Sequence, residues 1–151
     1  MTDAEFELTR TVRAPIEQVF ARLADVEGHN EWMPDKGSML RRTRQTSAGP
    51  PGLGTTYEDS TTVGLVPGEI VEFDPPRRIV HHWWDSTRSG RIKMEGWPGY
   101  TLESTGDNET LVRHHAKLRA HGIYRMATPV LKRMALKERT VTLEALQKSF
   151  E

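Results

Sequence analysis

At 151 residues, with a net charge of zero and a pI near 7.0, the chain is sized for one domain with a substantial core. Its 21 basic residues are scattered and matched by 21 acidic ones, so the basic footprint that nucleic acid requires is missing. It has no cysteine, which excludes a disulfide framework, a thiolate metal site and a cysteine nucleophile.

No apolar run approaches the ~20 residues of a membrane span. The opening stretch MTDAEFELTR has neither a basic nor a hydrophobic leader region. A signal peptide is therefore not expected, and the reading is a cytoplasmic protein formed as a single domain over residues 1–151.

Glu5 to Arg13 alternates as a first strand, with Phe6, Leu8 and Val12 on one side. Ala14-Pro15 stops it, and Pro15 suits the first position of a helix. Ile16, Val19, Phe20 and Leu23 recur at helical spacing as one apolar stripe. His29 to Met33 reads as a second short helix ended by Pro34, with Trp32 and Met33 as anchors. Ser38 to Thr46 is a basic second strand. SAGPPGLG at 47–54 is a loop, and Thr55 to Thr62 a third strand.

Val63 to Gly68 is expected to turn through Pro67-Gly68 into a hairpin whose own turn is Asp74-Pro75-Pro76-Arg77. The strand after that turn carries two histidines and then two tryptophans. Strand side chains alternate, so Ile79, His81 and Trp83 share one face and Val80, His82 and Trp84 the other. Parity alone leaves open which set faces inward. Ser86 to Gly90 turns again, and Arg91 to Glu103 alternates, with Ile92, Met94, Tyr100 and Leu102 apolar. Gly96-Trp97-Pro98-Gly99 suggests a bulge or kink within that strand. The last strand, Thr110 to Ala120, shows Val112, His114, Ala116, Leu118 and Ala120 on one face.

Beyond Gly122 the period lengthens to that of a helix. Thr128 is expected as its cap and Pro129 as its first residue, with Val130, Leu131, Met134, Val141, Ala145 and Leu146 along one side. Strand, two helices, six strands and a long helix make an α+β fold with helices on one face of an antiparallel sheet.

Three stretches then point to a family: RTVRAPIEQVFARLADVEGHNEWMP at 10–34, GEIVEFDPPRRIVHHW at 68–83 and YTLESTGDNETLVRHH at 100–115. With the closing helix they resemble a START-like (SRPBCC) domain, most of all its polyketide cyclase/dehydrase branch. The resemblance implies a helix-grip architecture, a bent seven-stranded antiparallel sheet wrapped around the long C-terminal helix. It also implies a cavity between the two for a lipid-, polyketide- or quinone-like ligand. The helix-grip pattern favours the His81 and Trp83 set inward.

On that arrangement the candidate ligand-binding residues are Tyr57, Asp59, Val71, Phe73, His81, Trp83, Met94, Tyr100, Leu102, His114, Ala116 and Met134. Mostly apolar walls with a few convergent polar groups are what small-molecule sites require. Asp59 and Glu69 are expected inward by parity with Tyr57, Val71 and Phe73. His114 and His81 are the candidate catalytic bases, in case the protein is a cyclase/dehydratase that removes a proton beside a carbonyl. A protein-interaction module with an occluded cavity, anchored by exposed Trp84 and Trp97, is the third reading. Neither a metal nor another cofactor is expected. The partner is a hydrophobic small molecule, with a homodimer left open.

Overall fold

The computed structural model describes residues 3–34 and 37–151. In chain order the elements are β1 (Asp3–Val12), α1 (Ile16–Ala24), α2 (His29–Trp32), β2 (Leu40–Gln45), β3 (Thr56–Thr61), β4 (Gly64–Asp74), β5 (Arg78–Ser86), β6 (Ile92–Gly106) and β7 (Glu109–Ala120). A 3-10 turn over Gly122–Ala127 leads into α3 (Thr128–Lys148). The seven strands form one antiparallel sheet in the order β1-β7-β6-β5-β4-β3-β2. Six strands in sequence thus follow one another as a meander, and β1 closes on the last of them. With α3 lying across the concave side this is the helix-grip α+β fold.

Three local expectations are revised. The β3–β4 turn lies at Thr62-Val63, and Gly64, with φ +119°, completes it in a conformation that glycine tolerates. Pro67 and Gly68 are strand residues, opposite Glu58 and Tyr57. The β4–β5 register ends at Gly68, so Pro67 occupies a stretch of β4 paired on one side only. Its missing N–H leaves no ladder bond unmade there. Second, residues 96–99 hold no bulge: β6 pairs with β7 without a shift from Met94↔Ala120 to Leu102↔Val112. The irregularities fall between Asp85 and Ser86 and between Ser104 and Gly106. Third, Thr128 is the first residue of α3 and not its cap, and its hydroxyl donates to the Arg125 carbonyl.

The core is asymmetric. Val12, Val19, Phe20, Leu23, Ile79, Leu102, Val112, Leu143 and Leu146 form one buried cluster between α1, the sheet and the C-terminal half of α3. The N-terminal half of α3 has no such backing: Val130 is 56% exposed and Met134 45%. The inward face of α3 also differs from the apolar stripe expected. Leu131, Ala135, Glu138, Arg139, Thr142 and Leu146 point to the sheet side, following the i, i+4, i+7 rule with polar groups at its middle. Half of the space under the helix is therefore filled with side chains, and the other half remains open.

Candidate functional site

That open half is a cavity of about 260 Å³. Its floor is the inner face of β3 and β5–β7, its roof is α3 from Leu131 to Thr142, and His29, Met33 and Met39 line one end. Most of the wall is apolar.

Register explains how large aromatic side chains fit against the sheet. Tyr57 on β3 is opposite Gly68 on β4, Gly68 is opposite Trp83 on β5, and Trp83 is opposite Gly96 on β6. Four adjacent strands thus alternate ring and glycine. The Tyr57 ring covers Gly68, and the Trp83 indole covers Gly96 so closely that a Cβ there would lie 2.6 Å from Cε2 and Nε1. Glycine at these two positions is what lets the rings lie flat and line the cavity.

Of the residues expected at a ligand site, Tyr57, Asp59, His81, Trp83, Met94, Tyr100, Ala116 and Met134 come together on the cavity wall. Four do not. Val71 is the extra residue of a bulge, since Ile70 pairs with His81 and Glu72 with Val80. That one insertion reverses parity along β4, so Ile70 takes the inner position and Glu69 lies opposite His82 on the outer face. Phe73 returns to the inner side beyond the bulge but packs edge-on against Phe20 at 5.4 Å between centroids, in the core. Leu102, 3% exposed, belongs to the same core cluster. His114 is fully buried outside the lining, its ring stacked on Tyr100 at 4.0 Å. Its Nδ1–H donates to the Gly99 carbonyl at 2.8 Å, and burial holds the ring's pKa well below the ordinary histidine value.

Polar side chains also enter the lining, His81, Asp59 and Tyr57 among them. His81 makes an edge contact with Tyr57 at 5.6 Å, and its side chain has no hydrogen bond among the described residues. Burial above all, with smaller contributions from His29 and the Arg139 guanidinium, pushes its pKa down to about 3. It is therefore a neutral hydrogen-bonding group at physiological pH, too weak a base to take up much proton there. Asp59, opposite Thr43 on β2, is the reverse case. Burial raises its pKa to about 6, opposed by the Thr43 hydroxyl and Arg139 and reinforced by Glu138. Burial also raises the pKa of the Tyr57 hydroxyl, which stays protonated as a donor.

The cavity lining also holds residues outside the expected set, among them His29, Glu138 and Arg139. His29 directs Nδ1–H at the carbonyls of Asp25 (2.8 Å) and Val26 (3.2 Å), which fixes its tautomer and leaves Nε2 as an acceptor. Glu138 accepts from the Met39 N–H at 2.8 Å and from the Ser38 hydroxyl, tying α3 to the chain entering β2. Arg139 lines the cavity and makes no ion pair or side-chain hydrogen bond with any described residue. Two adjacent charged residues on the inner face of a helix give no hydrophobic signal, and so periodicity overlooks them.

The outer face differs from the exposed surface expected of an interaction module. Trp97 stacks on His82 at 4.8 Å, and Trp84 tilts against the same ring at 5.1 Å. His82 Nε2 lies 2.8 Å from Glu95, which His121 also contacts. Both indoles are thus engaged within the chain and only partly exposed. Among the described residues no three His, Asp or Glu side chains are grouped as metal ligands, and no helix is long and apolar enough to cross a membrane.

Comparison with known proteins agrees with this architecture. The family described as polyketide cyclase / dehydrase and lipid transport matches residues 3–151. Among curated proteins, none matches the sequence. The fold is shared with the Zhui aromatase/cyclase of a Streptomyces species, at 14% identity and a TM-score of 0.79 over 97% of this chain and 93% of that one. A START superfamily protein from Mycobacterium smegmatis superposes with a TM-score of 0.74 at 13% identity, over 97% and 96% of the two chains. The di-domain ARO/CYC protein BexL gives a TM-score of 0.74 at 20% identity, with 96% of this chain matching 45% of that one.

Proposed function

Because the chain belongs to the polyketide cyclase / dehydrase and lipid transport family, we propose that it binds a hydrophobic small molecule of lipid-, polyketide- or quinone-like character between the sheet and α3. The observation that carries this reading is the largely apolar cavity under the N-terminal half of α3, bordered by Tyr57, His81 and Trp83. Burial of an apolar ligand contributes ~25 cal/mol per Å² removed from water, and the preformed wall spares part of the ordering cost of association. At about 260 Å³ the space lies just below the ~300–1,000 Å³ usual for drug-sized ligands. It suits a compact ring system or a short chain.

The test is Ala135→Trp, which places an indole in the cavity from the less packed half of α3, followed with a neutral apolar dye whose fluorescence rises on burial. Binding should fall at least about tenfold while circular dichroism and the unfolding midpoint remain those of the wild type. Leu131→Trp serves as the second obstruction one turn earlier. Wild-type affinity in two folded variants would refute the cavity as the binding site.

A second reading, a cyclase/dehydratase, is favoured by one observation, the carboxyl of Asp59 poised near pH 6 in the same cavity as the Arg139 guanidinium. The carboxylate would take an acidic proton beside a substrate carbonyl, and the cation would stabilise the enolate oxygen that forms. Asp59 fills this role better than His81, whose basicity burial removes, or His114, which lies outside the lining. Loss of turnover in Asp59→Asn, with binding retained, would distinguish it from simple carriage.

A further inference from the structure

The proposed binding function leaves one charge unexplained. A guanidinium stays protonated at any pH at which the protein is folded, and a charge drawn out of bulk water is ordinarily paired. Arg139 sits at the middle of the inward face of α3 and lines the cavity, yet no described side chain accepts from it.

The two carboxylates beside it are accounted for otherwise. Glu138 is already engaged by Ser38 and the Met39 N–H. Asp59 forms no ion pair with Arg139, and its raised pKa is the opposite of what a close pair would produce. Of the other charged residues in the lining, Asp85 pairs with Lys93, and Lys117 and Arg119 pair with Asp3; Tyr57, His81, His29 and the threonines are neutral groups that can hydrogen-bond but cannot neutralise a cation. The Tyr57 hydroxyl is a second donor with no partner among the described residues.

A mostly apolar cavity with a guanidinium and a hydroxyl that find no partner among the described residues has the features of a site for an amphipathic acid. Resting on the binding reading above, we infer that the ligand carries an anionic oxygen group, a carboxylate, phenolate or enolate, which pairs with Arg139 while the apolar body lies along Trp83, Met94 and Ala116. Arg139 then sets both specificity and orientation: it holds the acidic end near β3 and sends the apolar end towards β6 and β7. A neutral molecule of the same shape fills the same space but leaves the guanidinium unpaired, and is discriminated against accordingly.

Two dyes of one skeleton test this, anilinonaphthalenesulfonate and the uncharged phenylnaphthylamine, which differ only by the sulfonate. Each is titrated into the wild type, Arg139→Gln and Arg139→Lys, with circular dichroism and the unfolding midpoint checked for each variant. The wild type should prefer the sulfonate. Arg139→Gln should lose about tenfold or more for the sulfonate and less than twofold for the neutral dye, and Arg139→Lys should recover part of the loss. Chain-matched fatty acid and fatty alcohol, competing against the neutral dye, should show the same ordering.

Equal losses for both dyes, no loss for either, or no preference in the wild type would overturn the assignment of an acid and leave the cavity reading standing. If neither dye binds the wild type, the cavity reading fails as well.

Discussion

Replacing Asp59 by Asn tests whether the cavity holds this carboxyl at the expense of its ionised form. Its pKa stands at about 6 against an ordinary 3.8, chiefly through burial, with the Thr43 hydroxyl and Arg139 opposing and Glu138 adding to the rise. A folded-state pKa above the unfolded one means that the folded chain binds the extra proton. The stability from this group is complete below about pH 4 and is lost as pH rises through about 6. A displacement of about two pKa units corresponds to about 3 kcal/mol. Asp59 is only partly buried, so about 1–3 kcal/mol is the expected size. Asn carries no charge at any pH and is free of this loss.

In urea unfolding followed by tryptophan fluorescence, Asp59→Asn and wild type should match near pH 4. Their difference should grow through the window and level off above about pH 6.5, with the variant about 1–3 kcal/mol more stable, or about 2–4 °C per kcal/mol in Tm. The difference is the proper quantity because His81 gives a slope of the other sign. Its folded pKa is depressed to about 3 from 6.5, so the stability it contributes is present above about pH 6.5 and is lost as pH falls towards 3. A variant no more stable than wild type near pH 8, or one whose advantage persists unchanged at pH 4, would refute the reasoning.

Two further substitutions probe the packing that shapes the cavity. Gly96→Ala adds a Cβ 2.6 Å from the Trp83 indole, which must swing into the cavity. A cost of about 1–3 kcal/mol and weaker binding of the neutral dye are expected, and unchanged stability with unchanged binding would contradict the ring-on-glycine geometry. Leu143→Ala removes a side chain that is 0% exposed and should cost about 2–5 kcal/mol. Val130→Ala, on the unbacked half of α3, should stay within about 0.5 kcal/mol; the reverse order in urea midpoints would show that the helix is fixed at its other end.

Much of the fold was legible because it rests on periodicity and punctuation. The period-two strands, the 3.6-residue stripe of α1 and the turn at Pro75-Pro76 each leave a mark in composition. Tyr57, His81, Trp83 and Tyr100 were placed by parity counted over short, regular segments. Parity failed on β4, where the bulge at Val71 exchanges inner and outer faces; an inserted strand residue has no compositional signature, and so Val71 was expected where Ile70 lies. His114 satisfied the parity rule and still missed the cavity. Strand alternation tells which face a residue takes, but not whether the space above it is open or filled. Arg139 and Glu138 leave no mark in an apolar stripe, which is the signal that periodicity reads on α3. Their i, i+4 relation to Ala135 and Thr142 was the available clue.

Anchoring α3 at one end only has a mechanical consequence. Leu143 and Leu146 fix the last two turns in the buried cluster, whereas the first turns rest on space and on the Glu138 tie to the chain before β2. Lifting that leading end, like a plank nailed at its far end, uncovers the interior at far smaller cost than unfolding the domain, because few apolar contacts have to be broken. On the binding reading proposed above, that end is where a ligand would enter and leave, with the buried cluster undisturbed.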